Sequence, residues 1–182
     1  MKITETGFQG LLVLEPLVHS DSRGYFMESF NKETLRKAGI AFEPVQDNES
    51  SSVKGVIRGL HYQLRPFEQA KLIRVIEGKI LDVAVDMRRT SKTYGKWFGL
   101  ELTGESKKQL FIPRGFAHGF SVLSKVAVIQ YKCDNYYKPT CERGIALNDL
   151  SLGIDWKIDP AKAIISEKDL KNPRFREAEN NF

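Results

Sequence analysis

Four segments of this chain hold polar residues that a plain β-sandwich would not need. In Val56-Ile57-Arg58-Gly59-Leu60-His61-Tyr62-Gln63, a histidine sits within an apolar run beside an arginine, a tyrosine and a glutamine. Neutral imidazole is a suitable general base near pH 7, although a lone strand histidine is more often a hydrogen-bonded structural residue. In Gln130-Tyr131-Lys132-Cys133-Asp134-Asn135-Tyr136-Tyr137-Lys138-Pro139, tyrosines gather beside a lysine and a proline turn. Such a group packs a barrel rim or stacks on a sugar or base, and a tuned phenol can donate a proton. Asp21-Ser22-Arg23-Gly24-Tyr25-Phe26-Met27-Glu28 places Arg23 and Glu28 among aromatics. This reads either as a turn and edge strand with a surface ion pair, or as a nucleotide contact in which arginine takes phosphate. The fourth segment runs from Phe111 through Pro113, Arg114 and Gly115 to His118.

The spacing P-x-G-x-x-H that ends at His118 is the core of the second cupin motif, a turn that aims a histidine into a barrel. In a metal-binding cupin that histidine is a ligand, and the first motif supplies H-x-H with a following glutamate. Here the matching place reads His61-Tyr62-Gln63, so the second histidine is missing. The only other histidine is His19. A first-row metal needs three or four N or O ligands, so no metal site is expected.

The elements that would position these residues are mostly strands. Strands are expected around Gly10–Leu17, Gly55–Gln63, Lys71–Ile76, Ile80–Met87, Lys96–Leu102, Gln109–Ile112, Phe116–Leu123 and Val126–Cys133, with a hairpin turn at Glu77-Gly78-Lys79. Strict alternation puts His61 on the face of Ile57 and Gln63 with Arg58 opposite, but a bulge at Gly59 would break that parity. Asn31 could cap a short helix over Lys32–Ala38, and the tail after Pro160 could hold another helical turn. Many closely spaced strands with few helices imply a sandwich, jelly roll or barrel. The 182 residues suit one domain with a sizeable core.

Composition narrows the class further. Hydrophobic content of 41% and charged content of 28% fit an ordinary globular protein, and no apolar run reaches membrane-spanning length. The start, MKITETGFQGLLVLEP, has no long apolar stretch or small-residue cleavage site, so a cytoplasmic protein without signal peptide is expected. Cys133 and Cys141 read as free thiols. The net charge of +5 comes from lysines and arginines scattered among acids, not from a basic stripe, which disfavours a nucleic-acid partner.

The stretches DSRGYFMESF, PVQDNESSS, GVIRGLHYQ, AKLIRVIEGKILDVAVDMR, YGKWFGLEL, QLFIPRGFAHGF, YKCDNYYKP and SEKDLKNP run in order over nearly the whole chain. In this order and content the sequence closely resembles the dTDP-4-dehydrorhamnose 3,5-epimerases. The resemblance implies a mainly β, cupin-type jelly-roll barrel with a few short helices. It implies one domain over 1–182, with a barrel core at about 45–135 and the N-terminal strands and C-terminal segment packed on it. It implies inversion of C3 and C5 of dTDP-4-dehydro-6-deoxy-D-glucose without metal or organic cofactor, as a homodimer whose N-terminal strands cross between subunits.

By resemblance His61 is the base, Tyr131 the acid on the opposite face, Asp169 the carboxylate paired with His61, and Lys71 the cation near the ketone oxygen. Arg23, Glu28, Gln46 and Asn48 match nucleotide contacts. Arg58, His118, Glu142 and Lys168 match other substrate contacts, and Phe26 and Tyr136 match aromatic walls for thymine. The nearest alternative is a single-site epimerase, or a ketoisomerase, on a related nucleotide sugar. A metal-dependent cupin oxygenase and a non-catalytic sugar-nucleotide binding module are further alternatives. The joint presence of His61, Lys71, Tyr131 and Asp169 argues against the binding module.

Overall fold

The computed structural model describes residues 1–182. Strands β1 (Lys2–Glu5), β2 (Leu12–Glu15), β3 (Val18–Asp21) and β4 (Gly24–Met27) precede helix α1 (Lys32–Lys37). Then come β5 (Gln46–Val53), β6 (Ile57–Gln63), β7 (Lys71–Glu77), β8 (Lys79–Asp86), β9 (Trp97–Thr103), β10 (Gln109–Ile112), β11 (Phe116–Val122) and β12 (Val126–Cys133). Strand β13 (Glu142–Gly144) and helix α2 (Glu167–Leu170) follow. Asn31 caps α1 as its sequence implies, accepting a hydrogen bond from the Thr34 N–H. No helix is long and apolar enough to cross a membrane.

The strands form a jelly-roll sandwich of the cupin type. One antiparallel sheet has the order β1-β2-β10-β7-β12-β5, and the other has the order β13-β6-β11-β8-β9. Strands β3 and β4 stand apart as a two-stranded ribbon. The sheets thus take in strands from both ends of the chain as well as from its middle.

Alternation along each strand sorts side chains between the sandwich interior and the outer faces. Ile73, Val75, Ile80, Ala84, Phe116, Phe120, Ala127 and Ile129 meet between the sheets as an apolar core. The outer face of the five-stranded sheet is also buried. There Leu60, Tyr62, Leu81, Val83 and Val85 pack against Ile145, Leu147, Trp156 and Phe175 of the C-terminal segment. Leu35 of α1, with Ile40 and Phe42, covers Leu14, Leu72 and Phe111 on the other sheet.

The expected hairpin at Gly78 is corrected. Strand β7 pairs with β10 and β12, whereas β8 pairs with β11 and β9 in the facing sheet. Gly78, at φ +80°, carries the chain across the sandwich instead of folding it back. A Cβ there would meet the Val126 carbonyl oxygen at 2.1 Å, so the corner has room only for glycine.

The bulge at Gly59 is present. His61 pairs with His118 and Arg58 with Phe120, so Gly59 and Leu60 together oppose Gly119. Ile57 and Leu60 therefore both point to the outer core, and Arg58 and His61 both point inward. Gly59 has φ +135°, and a Cβ there would lie 2.5 Å from the Gly119 Cα. Gly59→Ala is expected to cost about 2–4 kcal/mol, combining the disfavoured backbone region with a clash against backbone that cannot swing away. A thermal midpoint within about one degree of the parent would contradict that.

Candidate active site

The apolar core fills only part of the space between the sheets. Beyond it lies a polar cleft of about 450 Å³, lined by Ser50, Arg58, His61, Lys71, His118, Tyr131, Lys168 and Asp169 among others. A smaller compartment of about 120 Å³ adjoins it and includes Gln46, Asn48, Gln63, Cys133, Tyr137 and Glu142. His61, Lys71 and Tyr131 line both. Lys71 and Tyr131 extend from β7 and β12 of the six-stranded sheet, and His61 from β6 of the facing sheet. The imidazole and the phenol thus approach one cavity from opposite walls.

Nε2 of His61 lies 2.6 Å from Oδ1 of Asp169. Asp169 is buried on α2, and its N–H donates to the side chain of the cap residue Ser166. Burial alone would raise the carboxyl pKa. The bond to His61, the imidazole's charge and the Gly59 N–H outweigh burial and hold it below the usual carboxylate range. Asp169 is therefore ionised at neutral pH and accepts an Nε2–H, which leaves Nδ1 as the ring's basic nitrogen.

Burial raises the Tyr131 phenol above its ordinary pKa, with Arg58 opposing, so this side chain keeps its proton. Burial lowers the Lys71 pKa, while the nearby acidic groups Cys133, Asp82 and Glu142 resist the fall. A cation in such a setting stabilises developing negative charge far more than one in water.

The smaller compartment is organised by side-chain amides and one carboxylate. Glu142 accepts from Lys168 Nζ at 2.5 Å and from the Tyr137 hydroxyl at 2.6 Å. Gln46 Nε2 donates to Asn48 Oδ1 at 3.0 Å, and Gln46 Oε1 accepts the Tyr137 N–H at 2.9 Å. Gln63 bonds the Tyr136 carbonyl and the Lys138 N–H, which fixes the loop after β12. With its backbone held there, Tyr137 points into the compartment, while the Tyr136 side chain is 64% exposed and lines neither cavity.

The ribbon residues also stand outside the cleft of the single chain. Arg23 pairs with Asp21 at 2.6 Å, and Glu28 accepts from Asn31. Arg23 and Phe26 instead line a separate hollow of about 540 Å³ with His19 and Tyr25.

Sequence reasoning missed several participants. Asp82 of β8 is fully buried, and its Oδ1 lies 2.6 Å from His118 Nε2, a second histidine–aspartate pair. The signal was a carboxylate inside the apolar run Ile80-Leu81-Asp82-Val83-Ala84-Val85. Tyr137, Gln63 and the Ser166 cap were likewise not singled out as site residues.

Fold and cleft together define a jelly-roll protein fitted for acid–base chemistry on a small polar ligand. The pattern of the family dTDP-4-dehydrorhamnose 3,5-epimerase matches residues 5–177. The enzyme of that name from Shigella flexneri is 48% identical over 180 residues, 98% of each chain. The crystal structure of the one from Elizabethkingia anophelis aligns with a TM-score of 0.94 at 47% identity, covering 100% of this chain and 99% of that one. A dTDP-6-deoxy-D-glucose-3,5-epimerase from Legionella pneumophila, solved in complex with dTDP-4-keto-L-rhamnose, aligns at 0.93 with 44% identity, covering 97% and 93%. This chain belongs to the dTDP-4-dehydrorhamnose 3,5-epimerase family.

Proposed function

We propose that this chain converts dTDP-4-dehydro-6-deoxy-D-glucose to dTDP-4-dehydro-L-rhamnose, a step of dTDP-L-rhamnose biosynthesis, with His61 as base and Tyr131 as acid. The observation that carries the residue roles is the placement of these two side chains on facing sheets of one cleft. Such an arrangement suits inversion, because the proton must leave from one face of the sugar ring and return to the other. The hydrogens at C3 and C5 are acidified by the C4 ketone, so the substrate supplies its own electron sink. His61 removes the proton, charge collects on the C4 oxygen, Lys71 stabilises it, and Tyr131 delivers a proton from the far side. Asp169 holds the His61 tautomer and favours the imidazolium that forms. No metal or organic cofactor enters this scheme.

Gln46, Asn48, Arg58, His118, Glu142 and Lys168 lie where they can bind the rest of a dTDP-sugar, and Tyr137 is better placed than Tyr136 to contact it. Arg23, Phe26 and Glu28 sit on an exposed ribbon away from their own chain's cleft. That supports a homodimer in which the ribbon completes the partner's site. We place the protein in the cytoplasm, where the free thiols of Cys133 and Cys141 would persist.

Incubation with dTDP-4-dehydro-6-deoxy-D-glucose in heavy water tests the reaction. Deuterium is expected at both C3 and C5 of the product. Label at one of these carbons alone would reassign the chain as a single-site epimerase.

A further inference from the structure

Strand β5 turns four polar side chains toward the interior: Gln46, Asn48, Ser50 and Ser52. Gln46 and Asn48 are accounted for above. Ser52 is buried, and its hydroxyl accepts from Arg58 Nε at 3.1 Å, so it orients a guanidinium that faces the cleft. Ser50 differs from all of these. Its Oγ is buried and has no hydrogen-bond partner, yet the residue lines the larger compartment beside His61, Lys71 and Tyr131. Across the ladder it faces Ile129, which offers nothing polar, and the next inward pair is Asn48 with Tyr131.

A buried hydroxyl without a partner has lost its water and gained nothing in return. Alanine would fold at that position with less penalty, so the hydroxyl is explained best by a group that arrives with the ligand. The compartment that Ser50 lines is the one where the proposed base and acid meet, and there the oxygen-bearing part of a nucleotide sugar is the hexose. Resting on the function proposed above, we propose that Ser50 Oγ hydrogen-bonds an oxygen of the hexose, making Ser50 a substrate-binding residue for the sugar half, with Ser52 as the positioning residue for Arg58.

The test compares Ser50→Ala with Ser51→Ala, whose side chain lies on the exposed face of the same strand. Binding of dTDP-glucose and of dTDP is measured by calorimetry, alongside turnover and the thermal midpoint. Ser50→Ala is expected to weaken dTDP-glucose about tenfold and to lower kcat/KM by a similar factor. Its affinity for dTDP should stay within about twofold of the parent, with no fall in thermal midpoint. Equal losses for dTDP and dTDP-glucose would overturn the hexose assignment, as would a Ser50→Ala protein indistinguishable from Ser51→Ala. Because binding is read with a sugar that lacks the ketone, failure of the parent to turn over would count against the proposed reaction and leave the Ser50 outcome readable.

Discussion

Replacing His61 with alanine is expected to lower kcat by about 10²–10⁴-fold while dTDP affinity changes little. Two imidazoles reach the cleft, and their surroundings assign them different work. His118 is 8% exposed and set against the fully buried Asp82, whereas His61 is 31% exposed and opens on both compartments. A base must touch the carbon acid, which favours the accessible ring for the proposed base and leaves the enclosed one to the proposed substrate contact. The substitution also strands Asp169 as a buried carboxylate without its imidazole, so part of any loss could arise from a loosened α2. Asp169→Asn separates the two effects, because it retains His61 and removes the charge that fixes its tautomer. Stopped-assay turnover of His61→Ala within a few-fold of the parent, with dTDP bound normally, would remove His61 from the mechanism.

Tyr131→Phe should separate proton removal from inversion. The phenylalanine keeps the ring and its packing but has no proton to give, so epimerised product is expected to fall by about 10²–10⁴-fold. His61 can still take a proton and return one to the same face. Solvent deuterium should therefore enter the recovered substrate at the carbon alpha to the ketone, without inversion. The parent's pH profile gives a companion reading. Burial raises the Tyr131 pKa, so its acid form persists through neutral pH and epimerisation should show no loss there from deprotonation of the phenol. Loss of exchange and epimerisation in equal measure in Tyr131→Phe would mean that the phenol acts in binding or enolisation, not as the second-face acid.

Much of the β framework was legible in the sequence because apolar alternation in β7, β8, β10, β11 and β12 is strong. Strand β5 escaped for a physical reason. Its inward residues, Gln46, Asn48, Ser50 and Ser52, face a polar cleft, so the two-residue period is one of amides and hydroxyls without apolar residues to mark it. The short strands β1, β3 and β13 also lack a readable pattern, since 3 or 4 residues give alternation little room, whereas the turn, edge strand and surface ion pair offered for Asp21–Glu28 match β4 and the Arg23–Asp21 pair. The switch of sheets at Gly78 was misread because a tight glycine turn between two strands looks the same locally whether or not the strands go on to pair. His61 and the tyrosines near Tyr131 are candidates from residue type, but Lys71, Asp169 and the pairing of roles come from resemblance; chain separation hides the convergence, and no local pattern predicts that a residue of α2 meets one of β6. Asp82 stood in view as a charge in an apolar strand, but its partner lies 36 residues away.

Because the proposed base and acid hang from different sheets, the gap between the sheets is the ruler of the reaction. Facing sheets sit roughly 10 Å apart, a distance set by the side chains wedged between them. Here those wedges include Ile73 and Val75 on the strand of Lys71, Ile129 on the strand of Tyr131, and Phe116 and Phe120 on the strand beside that of His61. A methylene added or removed among them would move one jaw of a caliper relative to the other. Since displacements near 1 Å can cost about 10²-fold in rate, this interior would set the reach of the proposed base and acid as well as supply stability.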